Sequence, residues 1–265
     1  MLKIKLNEQS FDAEEGITLF GLRDHVKPDA DVVILNGATM SANVPLTDGD
    51  AISLIARGQI PSEMELEALM AARHTPDVHA KLKAATVGIA GLGGLGSAIA
   101  VALARVGVGK LVVTDFDVVE PSNLNRQQYF VDQIGQLKTE ALVSTLRKTN
   151  PYVEVEAHAV KLTSDNLFPM FGTVDVMIEA FDRADQKAML LQTFTLAKPD
   201  VPFIGASGMA GYASGETIGI KPLGKNIYIV GDLETGAQPG CGLMAPRVGI
   251  AASMQANLAL RLIVD

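Results

Sequence analysis

The chain of 265 residues is long enough for one large domain or a large and a small one, and 48% hydrophobic residues give ample material for a core. A formal charge of -8 argues against nucleic acid or an acidic membrane surface as the main partner, and says nothing against a small protein partner. No apolar run approaches the roughly 18 residues of a bilayer span, the opening Met-Leu-Lys-Ile-Lys-Leu-Asn-Glu is no signal peptide, and the single cysteine, Cys241, excludes an intrachain disulfide and a four-cysteine zinc site, so a cytoplasmic protein without zinc is expected.

Residues 1–60 read as a separate small unit. Leu2, Ile4 and Leu6 alternate with Lys3, Lys5 and Asn7, the pattern of a half-buried strand, and a turn precedes Phe11. Residues 16–25 predict a helix with Thr18 as its start signal. Val32-Val33-Ile34-Leu35 closes on the Asn36-Gly37 turn, and Asp48-Gly49-Asp50 turns into a last strand ending at Ile55. Hairpin, helix and two strands in this order make a small ubiquitin-like β-grasp, and the segment resembles the ThiS sulfur-carrier family, including its Asp48-Gly49-Asp50. Carriers of that type end in a free Gly-Gly carboxylate, whereas here the chain continues through Ala56-Arg57-Gly58-Gln59-Ile60-Pro61. An internal peptide carbonyl is a poor nucleophile, so unless the chain is cut after Gly58 the module is not a substrate, and it is expected to serve docking, oligomerisation or regulation.

Residues 61–82 read as a linker whose helix, capped by Ser62 and carrying acids in its first turn, runs to Arg73. Next comes a short apolar run to Ala90, then Gly91-Leu92-Gly93-Gly94-Leu95-Gly96, then an Ala-rich segment to Arg105: the strand, tight turn and helix start of a nucleotide-binding βαβ unit. Gly91, Gly93 and Gly96 let the backbone come close to a phosphate, and the helix beginning near Gly94 offers the anion free N–H groups and its positive end. A second strand, Lys110 to Thr114, ends in Asp115-Phe116-Asp117, and Asp115 stands roughly twenty residues beyond the glycines, where a carboxylate can accept from ribose hydroxyls. So far a nicotinamide oxidoreductase fits as well as an ATP enzyme. Asn123, Arg126 and Lys138 move the balance to ATP, because hydride transfer has no need of them and a triphosphate with a pentacovalent phosphorus needs several donors.

Residues 139–148 predict an amphipathic helix stopped by Asn150-Pro151, and Val153 to Val160 a strand. Val174 to Ala180 is a further apolar strand that delivers Asp182 to the carboxyl end of a parallel sheet, where open α/β sheets bind ligands; capping the helix 184–198 is the competing use of Asp182. Strands are expected at 201–208 and 212–220, a patternless mobile crossover loop at 221–242, and a closing helix from Met244 to Leu262. Cys241, in a turn-like Pro-Gly-Cys-Gly, reads as structural sooner than as a nucleophile, since activation needs a positive microenvironment.

Over residues 70–265 these motifs, in this order, resemble the ThiF/MoeB adenylyltransferases of the ubiquitin-activating enzyme superfamily. The resemblance implies a Rossmann-like, mostly parallel sheet with helices on both faces at 83–265, preceded by the β-grasp. It implies adenylation, with ATP and magnesium, of the terminal carboxylate of a ThiS-like carrier supplied in trans, thiamin biosynthesis being the first context to consider. By the same resemblance Asp115 and Asp117 belong to the nucleotide site, Gly93 and Gly94 admit the nucleotide, and Asn123, Arg126, Gln127 and Lys138 contact phosphates. Asp182 holds magnesium, and Arg73 reaches the ATP site of the other subunit of a homodimer. Arg183, where the family has Asn, is a departure. A noncatalytic or regulatory ThiF-like protein is the rival reading from another class.

Overall fold

Alternation decides the first strands. Ile4 and Leu6 are buried while Lys3 and Lys5 are exposed, so β1 (Leu2–Leu6) shows one face to a core and one to water. The computed structural model describes residues 1–7, 9–74 and 76–265, with the side chains of residues 68, 71–74 and 76 outside the description. The chain divides into two units, Met1–His79 and Ala80–Asp265.

In the first unit β2 (Gln9–Ala13) pairs antiparallel with β1, and α1 (Leu19–Val26) follows, its Thr18 side chain accepting from the Gly21 N–H at 3.2 Å as the cap. β3 (Val32–Leu35) turns at Asn36 and Gly37, both with positive φ, into a short β4 (Ala38–Thr39) that sequence patterning leaves out. β5 (Ala51–Ile55) lies parallel to β1 in a sheet ordered β2-β1-β5-β3-β4. Leu19 and Leu22 of α1 pack with Ile4, Val33, Ile52 and Leu54. Burying each such side chain stabilises the unit by about 1.5–3 kcal/mol. Past β5 the chain turns at Gly58 (φ +79°), with the Arg57 N–H donating to Asp31 at 3.0 Å and the Gln59 amide to Asp29. The helix α2 (Glu63–His74) is capped by Ser62, which accepts from the Glu65 N–H at 3.3 Å, and is tied to α1 by the Lys27–Glu65 ion pair at 2.5 Å. A second helix, α3 (Pro76–Ala84), follows it.

Among the described residues of the second unit, β6 (Thr86–Ala90), β7 (Lys110–Thr114), β8 (Glu154–His158), β9 (Val176–Glu179), β10 (Phe203–Ala206), β11 (Gly219–Gly224) and β12 (Ile227–Gly231) form a seven-stranded sheet. Its order is β11-β12-β10-β9-β6-β7-β8, parallel throughout except for the antiparallel edge strand β11. Val87, Ile89, Leu111, Val113, Val176 and Ile178 are all buried, as continuous apolar runs covered on both faces must be. The helices α4 (Gly94–Arg105) and α5 (Lys138–Thr149) belong to the crossovers from β6 to β7 and β7 to β8, and α8 (Ala245–Val264) packs on α4. The helices α6 (Leu167–Phe171) and α7 (Ala184–Ala197) lie on the opposite face, where Phe171, Leu190 and Phe194 pack with Met177 and Phe203. The chain order reverses between β6 and β9, which places a crevice at their carboxyl ends.

Two expectations are corrected. Residues 221–231 hold most of the β11–β12 hairpin, with Asn226 (φ +62°) in its turn, so the expected crossover loop shrinks to the irregular residues 232–242, which include the cleft-lining Thr235, Gly236 and Ala237. Tyr212 is 88% exposed in an irregular stretch, and the strand expected at 212–220 begins only at Gly219. Among the described residues no helix is long and apolar enough to cross a membrane.

Candidate functional site

The crevice is a cleft of ≈ 610 Å³, with Gly91, Gly93 and Gly94 at its base. The turn from β6 into α4 has its shape because glycine is required at two places. Gly91 has φ +92° with the carbonyl of Ala180, just past β9, packed against it, and a Cβ on Gly96 would stand 1.8 Å from the Gly91 carbonyl oxygen. Gly96 thus brings helix and loop together and does not line the cleft, whereas a Cβ on Gly93 would meet only the Gln127 amide, 3.9 Å away. Three further bonds hold the loop. The Tyr129 hydroxyl donates to the Leu92 carbonyl at 2.8 Å, the Ser97 hydroxyl to the Gly93 carbonyl at 2.6 Å, and the Leu92 N–H to Asp115 at 2.7 Å. Tyr129 is buried, and that burial, with the charges of Asp115 and Asp117 nearby, pushes its hydroxyl pKa far up, so it stays a neutral donor.

One wall comes from the end of β7 and the segment that follows. Asp115, half-buried, accepts from the Leu92 and Asp117 N–H groups; its burial pushes the carboxyl above the ordinary value, against the pull of Lys138 and those N–H bonds. Lys138, the first residue of α5 and 6% exposed, sends Nζ to Asp117 at 3.0 Å, and both face the cleft. Arg126, held by the Ser122 carbonyl at 3.3 Å and Asn125 at 2.8 Å, and buried Gln127 complete this wall; the Gln127 Oε1 atom has no partner among the described residues. Asn123 does not line the cleft. Its side chain accepts from the Glu120 N–H at 3.1 Å and closes the tight turn that aims Arg126 and Gln127.

The other wall comes from the ends of β9, β10 and β12. Asp182 lines it, exposed, and makes no hydrogen bond or ion pair among the described residues. The residue at the start of α7 that caps by position is Arg183, without a side-chain cap, and its guanidinium pairs instead with Asp185 at 2.9 Å. Sequence patterning missed the buried Glu179, bonded to Lys187 Nζ at 2.9 Å, and the buried ion pair of Asp232 with Arg247 at 2.5 Å. Burial opposes ionisation of Asp232, yet hydrogen bonds from Thr235, Glu234 and Arg247 hold its carboxyl well below the usual range. This pair fixes the loop whose Thr235, Gly236 and Ala237 face the cleft, while Arg247 also holds the Ala213 and Ser214 carbonyls. Cys241 is half-buried and does not line the cleft. The side chain of Arg73 lies outside the described residues.

The donor set suits a polyanion. A guanidinium, an ammonium, the amide of Gln127 and a helix N-terminus surround the glycine turn, and the Asp115 carboxylate stands beside it. Among the described residues no cluster of three His, Cys, Asp or Glu could hold a metal alone. A single unengaged carboxylate does fit magnesium, which takes one or two protein carboxylates and fills its shell with phosphate oxygens and water. The sequence pattern of the ThiF family matches residues 67–265. The chain belongs to the ThiF family. A ThiS-like ubiquitin pattern matches residues 2–58 of this ThiF-family chain. It is 29% identical over 193 residues to the adenylyltransferase and sulfurtransferase UBA4 of Candida glabrata, covering 69% of this chain and 43% of UBA4. With the adenylyltransferase and sulfurtransferase MOCS3 of Aedes aegypti it shares 33% identity over 130 residues, 49% of this chain and 29% of MOCS3. The chain therefore spans less than half the length of these relatives. In fold it is similar to the E. coli tRNA N6-threonylcarbamoyladenosine dehydratase TcdA in complex with ATP, with a TM-score of 0.67, 23% identity, and coverage of 77% of this chain and 97% of TcdA.

Proposed function

We propose that this ThiF-family chain is an ATP-dependent adenylyltransferase that activates the C-terminal carboxylate of a small ubiquitin-like sulfur carrier in trans. One observation carries the reading: Arg126, Gln127, Lys138 and Asp182 line a single cleft around the Gly91–Gly94 turn. In the step itself a carboxylate oxygen of the carrier attacks the α-phosphorus, the bond from that phosphorus to the bridging oxygen breaks, and pyrophosphate leaves with its electron pair. The chain's part is to hold ribose at Asp115, spread the phosphate charge over Arg126, Lys138 and the N-terminus of α4, and keep the two oxygens in line. Magnesium would be held by Asp182 and would neutralise the phosphates. The adenylyltransferase activity named in UBA4 and MOCS3, and the ATP bound in TcdA, support this reading.

Within it, residues 1–60 form a carrier-like module that is not the substrate, 61–82 a connector and 83–265 the adenylating domain. The fold-back of Arg57 and Gln59 onto Asp31 and Asp29 at Gly58 supports that role for the module. The carrier is ThiS-like, the setting is thiamin biosynthesis in the cytoplasm, and the enzyme works as a homodimer in which Arg73 serves the partner's site. Incubating the protein with ATP, magnesium and separate ThiS-type and molybdopterin-type carriers, then weighing the carriers, tests the whole reading. A mass gain of one AMP on the ThiS-type carrier alone is expected. Gain on the molybdopterin carrier alone would overturn the thiamin assignment, and binding of ATP without transfer to either would favour the noncatalytic reading.

A further inference from the structure

Asp182 sits on an exposed turn, where nothing of its own holds it. Its two flanks, by contrast, are gripped by one buried carboxylate. Glu179, the last residue of β9 and 3% exposed, accepts from the Phe181 N–H at 2.7 Å on the chain just before Asp182. It also accepts twice from Lys187 Nζ, at 2.9 and 3.0 Å, and Lys187 lies in the first turn of α7 just beyond Asp182. Lys187 Nζ completes its set on the Ala206 carbonyl at 2.9 Å, which ties the same knot to the end of β10. The room for it is made by Gly205, where a Cβ would come within 3.3 Å of Glu179 Oε2.

Such a pair is a poor investment for stability alone, because taking the Glu179 carboxylate out of water costs about what its attraction to the half-buried, cleft-lining Lys187 returns, and an apolar residue there serves equally well. What an apolar pair cannot do is bond a turn N–H, a helix and a neighbouring strand through one side chain. We propose that Glu179 and Lys187 are positioning residues for Asp182, fixing the Phe181–Asp182 turn so that its carboxylate faces the cleft and sets the metal-dependent part of nucleotide binding. The proposal rests on the reading of the cleft as a magnesium–ATP site.

Isothermal titration of the full chain with ATP, once with magnesium chloride and once with EDTA, gives the ratio of the two dissociation constants as the readout. The variants are Lys187→Gln, Lys187→Arg and the apolar double variant Glu179→Leu/Lys187→Met, each first checked for a cooperative thermal transition. Wild type is expected to prefer magnesium–ATP. The double variant and Lys187→Gln should lose about tenfold of that preference, a usual cost of removing support behind a metal ligand. Binding of metal-free ATP should stay unchanged, and Lys187→Arg should retain the preference. In an Asp182→Asn background, Lys187→Gln should cost nothing more, since both act through the same carboxylate. Folded variants with the wild-type ratio, or an equal loss with and without magnesium, would overturn the proposal while leaving the nucleotide reading intact. Wild type that binds no ATP at all would sink both.

Discussion

The two walls of the cleft hold charged groups of both signs and use them in opposite ways. On the wall from β7 to α5, Lys138 meets an Asp117 whose side chain is 51% exposed, Arg126 rests on a carbonyl and an amide, and Gln127 keeps a partnerless atom. On the wall from β9 to β12, Lys187 and Arg247 are matched to Glu179 and Asp232. Lys187 also donates to the Ala206 carbonyl and Arg247 to two carbonyls and the Thr217 hydroxyl, while Arg247 Nε keeps no partner among the described residues. The first wall keeps its electrostatic capacity for something that arrives; the second consumes it in holding loops still. A charge near a site therefore says little about function until its partners are counted.

Substitutions can break this contrast. Arg247→Met should have the largest effect, about 3–5 kcal/mol of lost stability, because it strands Asp232 and two carbonyls. Urea unfolding measures it, and a loss below 1 kcal/mol, taken as roughly the worth of an exposed pair, would erase the distinction between the walls. Lys138→Ala should do the reverse, lowering carrier-dependent pyrophosphate exchange by about 10²-fold or more while moving the melting temperature little. Asp232→Asn sharpens the case through pH. The lowered carboxyl pKa means its stabilisation is present above the ordinary value of 3.8 and lost as pH falls through the lowered one. The variant should thus be about 2 kcal/mol less stable near neutrality, a gap that narrows in acid below 3.8. Tyr129→Phe, which frees the Leu92 carbonyl, should cost about 1 kcal/mol in urea unfolding and weaken ATP binding modestly.

The receiving wall was the legible one. Its residues follow one another closely in the chain, and the Gly91–Gly96 turn, Asp115, Arg126 and Lys138 stand out because their types do not suit a core or a plain helix face. Of the consuming wall only Asp182 is legible, since Glu179 with Lys187, and Asp232 with Arg247, meet only when separate segments are brought together. The resemblance implies a phosphate contact for Asn123, while its side chain here accepts from the Glu120 N–H, and sequence does not distinguish an amide facing a ligand from one closing a turn. Patterning finds β6, β7, β9 and β10 through their apolar runs and β8 through alternation, and loses the β11–β12 hairpin: Pro222 and two glycines make β11 look like loop, and the short β12 is absorbed into the same segment. An edge strand can accept proline because it need not donate to a neighbour on its outer side. The short α6 carries too few turns for a period to show.

Because Gly96 seats α4 so tightly against the Gly91 carbonyl, the peptide groups that face the cleft reach their final orientation when the protein folds. A nucleotide bound there as proposed would have little main chain left to organise. Its binding entropy should therefore be governed by released water and ions, and amide hydrogen exchange should change little at Gly91 and Leu92, already bonded to the Thr114 carbonyl and Asp115, while slowing at the free N–H groups of Gly93 and Gly94.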